Sequence, residues 1–416
     1  MTNVGTDLPT PSLEKRVGLG QSRSLREEFA AYIAGVRSGH MGSLPALVGL
    51  LILTALFSFM SPVFLSNLNY ANLLQQSAPL ITLSMGLVFT LLLAEIDLSA
   101  GVTSGLTSAV LVVVMATHGV PWWLAIIVSL ATGVGIGLGI GLLVSKVGIP
   151  SFVVTLAAFL AFQGLQIIVI GQGGLYRVES KEILYIENGN ISPSAGWVLV
   201  AVVIVLQLAT GVWGRYRRAK RGHSSGSMSL FLTGTAATGL LLVVSVYVLN
   251  QQRSPNPSFP ISGVPLVVPI VAGMFILGTV ILKRTKFGIH VYAVGGNSEA
   301  ARRAGIPVGS LRIVVFMICS GLAAVSGLLT ASRIGSVDAA AGRTIVLNGV
   351  AAAVVGGVSL FGGRGRLKDA IIGGLVIAVI ENGLGLLGLP SGLNLAVTGA
   401  VLLIAATADA LSRKRA

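Results

Sequence analysis

Twelve stretches of this chain each approach the roughly 20 apolar residues that a helix needs to cross the hydrocarbon layer of a membrane. They cover about 44–64, 72–94, 98–117, 122–145, 150–171, 195–213, 229–249, 262–282, 311–331, 344–361, 369–388 and 392–410. Only 10% of the residues are charged, against about a quarter in ordinary soluble proteins, which excludes a water-soluble globule. The expected fold class is an all-α polytopic membrane protein with about 12 transmembrane helices.

Threading these stretches alternately from a cytosolic N-terminus predicts that Lys and Arg gather in the inner loops. The inner segments hold 23 of the 28, and the outer ones hold only Arg177, Lys181, Arg253, Arg333 and Arg343. Both termini are therefore expected in the cytosol. Residues 1–43 read as a polar tail without the basic-then-apolar start of a cleaved signal, 44–410 as the transmembrane domain and 411–416 as a basic C-terminus. Two boundaries are poorly marked: 72–94 and 98–117 are split only by "AEIDLSAG", and 344–361 could dip in and return.

The net charge of +14 fits positive charge kept on the cytosolic face better than it fits nucleic-acid binding. A single cysteine, Cys319, cannot form an intrachain disulfide, and the four histidines lack metal-ligand spacing. No phosphate-binding G-x-x-x-x-G-K-[ST] occurs, and no Ser/His, Cys/His or paired-acid arrangement supports an enzyme. Membrane acids are too few for the relay of a proton-driven pump. No metal or cofactor is expected. What remains is a carrier of an uncharged or weakly charged polar solute, energised from outside the chain.

The polar exceptions carry the detail. Residues 172–194 form the longest outer loop, open to an external partner, and 214–228 form a basic Ser/Gly-rich inner linker, read as an orientation signal and flexible connector. Gly133, Gly137 and Gly141 lie four apart and give one helix a bare face for close packing. Glu95 and Asp97 interrupt two apolar spans, where a carboxylate costs roughly 2.5–3.5 kcal/mol unless it meets a cavity or partner. Asp97 can cap the next helix through the amides of Ser99 and Ala100; Glu95 has no such role. Glu381 and Asn382 either line a hydrophilic path or bond a neighbouring helix, and Asn348 precedes the glycine pairs Gly356/Gly357 and Gly362/Gly363, a sign of close packing or an interrupted helix.

One stretch, "YAVGGNSEAARRAGIPV" at 292–308, reads as a short helix made for water. Asn297 is a good N-cap, Glu299 charges the first turn, Arg302 and Arg303 the last, and Gly305 and Pro307 end it.

Together "AEIDLSAG" (94–101), "IPSFVVTLAAFLAFQG" (149–164), "TKFGIHVYAVGGNSEAARRAGIPV" (285–308), "VVGGVSLFGGRG" (354–365) and "ENGL" (381–384) resemble, in order, the permease subunits of bacterial ABC importers of the ribose/xylose group. The extra span pair at 195–249, with its basic linker, resembles the xylose branch. The resemblance implies a permease fold in the bacterial inner membrane, with the short helix in the cytosolic loop 283–310 as the piece that docks on a separate, tandem ABC ATPase. The coupling residues it implies are Gly295, Gly296, Asn297, Ser298, Glu299, Ala300, Arg302, Arg303 and Gly305. It also implies a periplasmic or lipid-anchored sugar-binding protein, a second copy of the chain, and contact with membrane lipid but not nucleic acid. A sugar needs hydroxyl-matching groups beside apolar faces, so Glu95, Ser99, Phe152, Gln163, Asn348, Glu381 and Asn382 are candidates for the path. Asn348 stands where the family more usually has an acid. The expected solute is a monosaccharide, D-xylose or a related pentose; the alternatives are an ion-gradient-driven sugar carrier, a permease of the same family for another solute, and a membrane scaffold or receptor.

Overall fold

The computed structural model describes residues 43–222, 228–256 and 258–390, with scattered positions between 392 and 407. In chain order the elements are α1 (Leu44–Met60), α2 (Asn67–Leu92), α3 (Ala100–His118), α4 (Trp122–Leu142, followed by a π turn over Leu143–Val147) and α5 (Ser151–Ile170). Then come β1 (Leu175–Arg177), α6 (Lys181–Asn188), β2 (Asn190–Ile191), α7 (Pro193–Lys220), α8 (Met228–Asn250), β3 (Val264–Pro265) and α9 (Val267–Arg284). The last are α10 (Lys286–Gly296), α11 (Ser298–Arg303), α12 (Val308–Ile334), β4 (Ser336–Asp338), α13 (Ile345–Gly356) and α14 (Leu367–Leu386). Among the described residues nine helices are long and apolar enough to cross a membrane, and α1 and α13 are shorter apolar helices. The expected span at 392–410 lies largely outside the described residues, as do 1–42, 223–227 and 411–416.

Two expectations change. The basic stretch 214–220 is not a flexible connector but the continuation of α7, whose Arg217, Arg218 and Lys220 occupy its last turn. Cations there complement the helix dipole, so the helix does not stop where its apolar run does. The stretch 344–361 is helical only over α13, 12 residues or about 18 Å at 1.5 Å per residue. Gly357, in the left-handed region at φ 112°, ends it.

The described residues fall into two compact units. In one, residues 194–247 form most of α7 and α8. Gly211 faces Phe231 so closely that a Cβ would lie 2.2 Å from the ring, and the Arg215 guanidinium sits 4.1 Å over the same ring.

The other unit is organised around α12, which packs against α2, α3, α4 and α6. Its residues Val315, Phe316, Cys319, Ser320, Ala323 and Ala324 have no exposed surface. Small residues make this possible. A Cβ on Gly133 would lie 2.7 Å from the Ser320 carbonyl oxygen, one on Gly137 2.4 Å from that of Phe316, and one on Gly141 2.7 Å from Ile313 Cα. The bare face predicted for α4 is therefore pressed against α12, backbone to backbone, while Gly135 and Gly139 on the opposite side meet nothing within 4 Å.

Two small ladders tie down the polar segment between α5 and α7. β1 pairs antiparallel with β4 (Tyr176 opposite Val337), and β2 with β3 (Ile191 opposite Val264). Between them α6, N-capped by Ser180, lays Ile183 and Leu184 on the end of α12. The Ser332 hydroxyl donates to Ile183 O at 2.6 Å and accepts from the Glu187 amide at 3.0 Å.

Gly137→Val should lower the midpoint of thermal unfolding in detergent through overpacking of about 1–3 kcal/mol. Gly139→Val, on the same helix with open space, should leave it nearly unchanged.

Candidate coupling helix and translocation path

The chain leaves α9 at Lys283 and Arg284 and turns at once, with the Thr285 hydroxyl accepting from the Gly288 amide to start α10. Val291 and Val294 bury α10 against the bundle, the helix ends on Gly295–Gly296, and the chain breaks at Asn297 in extended conformation. A Cβ on Gly295 would lie 1.8 Å from Leu92 O, so only glycine fits there, while Gly296 meets nothing within 4 Å. The Gly363 amide donates to the same Leu92 carbonyl at 2.9 Å. The end of α2, the α10–α11 break and the second glycine pair are thus pinned at one point.

From it projects α11. The Asn297 side chain accepts from the Ala300 amide at 2.9 Å, and Glu299 is paired with Arg303 at 3.1 Å and Arg302 at 3.9 Å. These charged side chains stay more than half exposed, so their pairing adds little stability. Ser298 is half-buried, Ala300 is exposed, and Ala301 faces inward at 5% exposure. Gly305, at φ 83°, ends the turn before α12. The result is a polar knob whose root is rigid.

The interruption between α2 and α3 lies beside that root. Ala94 takes the left-handed conformation at φ 60°, which costs about 1–2 kcal/mol and places its Cβ against Gly362. Glu95, buried, is ion-paired with Arg312 of α12 at 2.7 Å. Asp97 accepts from the Ser99 amide at 2.9 Å and, in addition to the expected bond, from the Ser99 hydroxyl at 2.6 Å. Ser99 is fully buried in this turn. The Thr155 hydroxyl of α5 donates to Ile96 O at 3.1 Å, bracing the break from the other side.

A second polar group lies between α2, α13 and α14. The Asn348 amide donates to Glu381 Oε1 at 2.6 Å, and the Gln76 side chain reaches the same carboxylate. All three are half-buried. The neighbouring Asn382 instead exchanges two bonds of 2.9 Å with Asn69, whose amide also donates to Phe64 O. Asn382 is therefore a helix-to-helix clasp, and its amide also reaches Gln76 Oε1 at 3.4 Å, which joins the clasp to the Glu381 group. Phe152 and Gln163 join neither group: Phe152 is half exposed on α5, and Gln163 is half-buried there.

The family model described as the branched-chain amino acid transport system / permease component matches residues 69–406. The chain belongs to this permease family. The xylose transport system permease protein of Haemophilus influenzae is 33% identical over 373 residues, covering 89% of this chain and 96% of that one. The xylose transport system permease protein of Escherichia coli is 34% identical over 352 residues, covering 85% and 87%. The ribose import permease protein of Bacillus subtilis is 32% identical over 371 residues, covering 89% and 94%. No solved structure matches the chain. The protein is an ABC-importer permease of the ribose/xylose type, a multi-pass protein of the cytoplasmic membrane.

Several polar residues of the permease escape sequence reasoning because their partners are remote. Gln166, 1% exposed, donates to the carbonyls of Asp338 and Ala341 and holds the approach to α13 onto α5. Arg312 and Asn69 likewise acquire meaning only from Glu95 and Asn382. Glu187 of α6 is fully buried, and neither carboxylate oxygen finds a hydrogen-bond donor among the described residues. Desolvation raises its pKa to about 8, with the Arg333 guanidinium offsetting part of the shift.

The folded state thus holds Glu187 protonated where the unfolded chain does not. Its contribution to stability is complete below the unfolded value near 4.5 and is lost as pH rises through about 8. The protection factors of the 181–188 amides should fall over that range, and Glu187→Gln should flatten the dependence.

Proposed function

We propose that the permease is the transmembrane subunit through which a monosaccharide, D-xylose or a related pentose, enters the cell, driven by a separate ABC ATPase of tandem form. The observation that carries this reading is α11, a capped and charged knob on a glycine-pinned root, within a chain belonging to a family of ABC permeases. Gly295, Gly296, Asn297, Ser298, Glu299, Ala300, Arg302, Arg303 and Gly305 form the coupling element. Its root touches the ends of α2 and α14's approach, so a push on α11 reaches Ala94, Glu95 and Arg312 without crossing a flexible loop. An even number of crossings, with both ends in the cytosol, follows from the distribution of Lys and Arg.

Two copies form the path between them, and a periplasmic or lipid-anchored binding protein delivers the sugar to the end carrying α6. Glu381, Asn348 and Gln76 suit this role best, because they offer acceptors and donors at a half-buried position. Glu95 and Ser99 act instead as struts of the moving break, and Phe152 offers an apolar face to the second copy or to lipid. The xylose permeases are 33% and 34% identical and the ribose permease 32%, so the choice of xylose leans on the extra helix pair at 195–249.

Glu299→Arg should weaken co-purification with the ATPase by on the order of thirtyfold and abolish ATP-dependent uptake, while leaving the unfolding midpoint unchanged. Retained association and uptake would remove the coupling role. In the same uptake assay unlabelled xylose should displace labelled xylose better than ribose does, and the reverse order would assign the solute to ribose.

A further inference from the structure

A cleft of about 320 Å³, counting its open mouth, lies where α9 ends beside α10 and the first turn of α14. Lys283, Arg366 and Lys368 line it, from elements more than 80 positions apart in the chain. All three side chains are exposed, and no acidic group among the described residues lies within ion-pair distance of them. Asp369, whose carboxyl interacts electrostatically with Lys368, Arg366 and Lys283, is buried and accepts from the Arg366 amide at 2.8 Å as a helix cap. The Tyr292 hydroxyl on the far wall donates to Gly365 O at 2.8 Å. In contrast, the Thr279 hydroxyl in the cleft is buried and has no partner among the described residues.

The remaining walls are apolar, contributed by Phe275 and Leu282. Leu367 closes the floor against Gly278. The apolar run of α9 ends at Lys283 and Arg284, which sets the mouth at the level where hydrocarbon gives way to water. Scattered orientation charges would ring the bundle. Here three converge on one concavity that is wet at the rim and apolar below, the recognised form of a headgroup site between helices on the cytoplasmic side.

We propose that this cleft binds one anionic phospholipid of the cytoplasmic leaflet, with its phosphate between Lys283, Arg366 and Lys368, the Thr279 hydroxyl donating to it, and its acyl chain against Phe275 and Leu282. Because Tyr292 belongs to α10, the bound lipid presses on the helix that carries α11. The site stands independently of whether α11 couples to an ATPase.

The test uses the full-length chain in phosphatidylcholine nanodiscs doped with phosphatidylglycerol, with retained lipid counted by native mass spectrometry. The natural chain should retain phosphatidylglycerol over phosphatidylcholine. The triple variant Lys283→Gln, Arg366→Gln, Lys368→Gln should weaken retention by roughly a hundredfold. Thr279→Trp, which fills the cleft and keeps its charges, should weaken it as well, and Arg284→Gln with Lys286→Gln, just outside it, should not. Equal retention by the triple variant, or an equal loss in the Arg284/Lys286 variant, would overturn the proposal. So would inorganic phosphate binding in lipid-free detergent as tightly as the lipid, or a triple variant that loses ATPase association with lipid retention intact.

Discussion

Everything in the larger unit depends on how closely α12 is approached. Between helices in lipid there is no hydrophobic force to speak of, because the acyl chains are as apolar as leucine, so association rests on packing and hydrogen bonds. Gly133, Gly137 and Gly141 let α4 lie on α12, Gly86 brings α2 to the Cys319 backbone, and Gly327 brings α12 to Ser104. The middle of the helix thus becomes a buried axis, and the polar groups along it are arranged with respect to that element.

Against that axis the interrupted segments make mechanical sense. The break between α2 and α3 and the short α13 each leave backbone groups that a continuous helix would satisfy. The protein answers with side chains: Asp97 on Ser99, Thr155 on Ile96, Gln166 on the strand preceding α13. The breaks meet α10–α11 through Leu92, Gly295 and Gly363, a junction where backbone touches backbone. Under the proposed coupling role, a displacement applied to α11 would be passed on by atoms already in contact, as interconversion between two packed arrangements requires.

What was legible in the sequence was local. The caps of α11 could be read because Asn297, Glu299, Arg303 and Gly305 act within one or two turns of each other. The glycine face of α4 was equally plain, since a four-residue repeat describes one side of a helix. α10 was missed because "KFGIHVYAVGG" falls in the stretch read as the cytosolic loop 283–310, and only its packing through Val291 and Val294 shows the helix. The pairs Glu95–Arg312 and Asn348–Glu381 were invisible as pairs, each joining residues brought together by the fold alone. Asn382 had two equal readings in the sequence, and its reciprocal bonds with Asn69 favour the clasp.

The central claim is that this subunit is a passive gate moved by a nucleotide-driven partner. Uptake of labelled xylose into proteoliposomes tests it most directly, comparing the purified chain under an imposed proton or sodium gradient with the chain joined to its ATPase, its binding protein and ATP. Accumulation against a gradient is expected only in the second case. Concentrative uptake by the chain alone would contradict it.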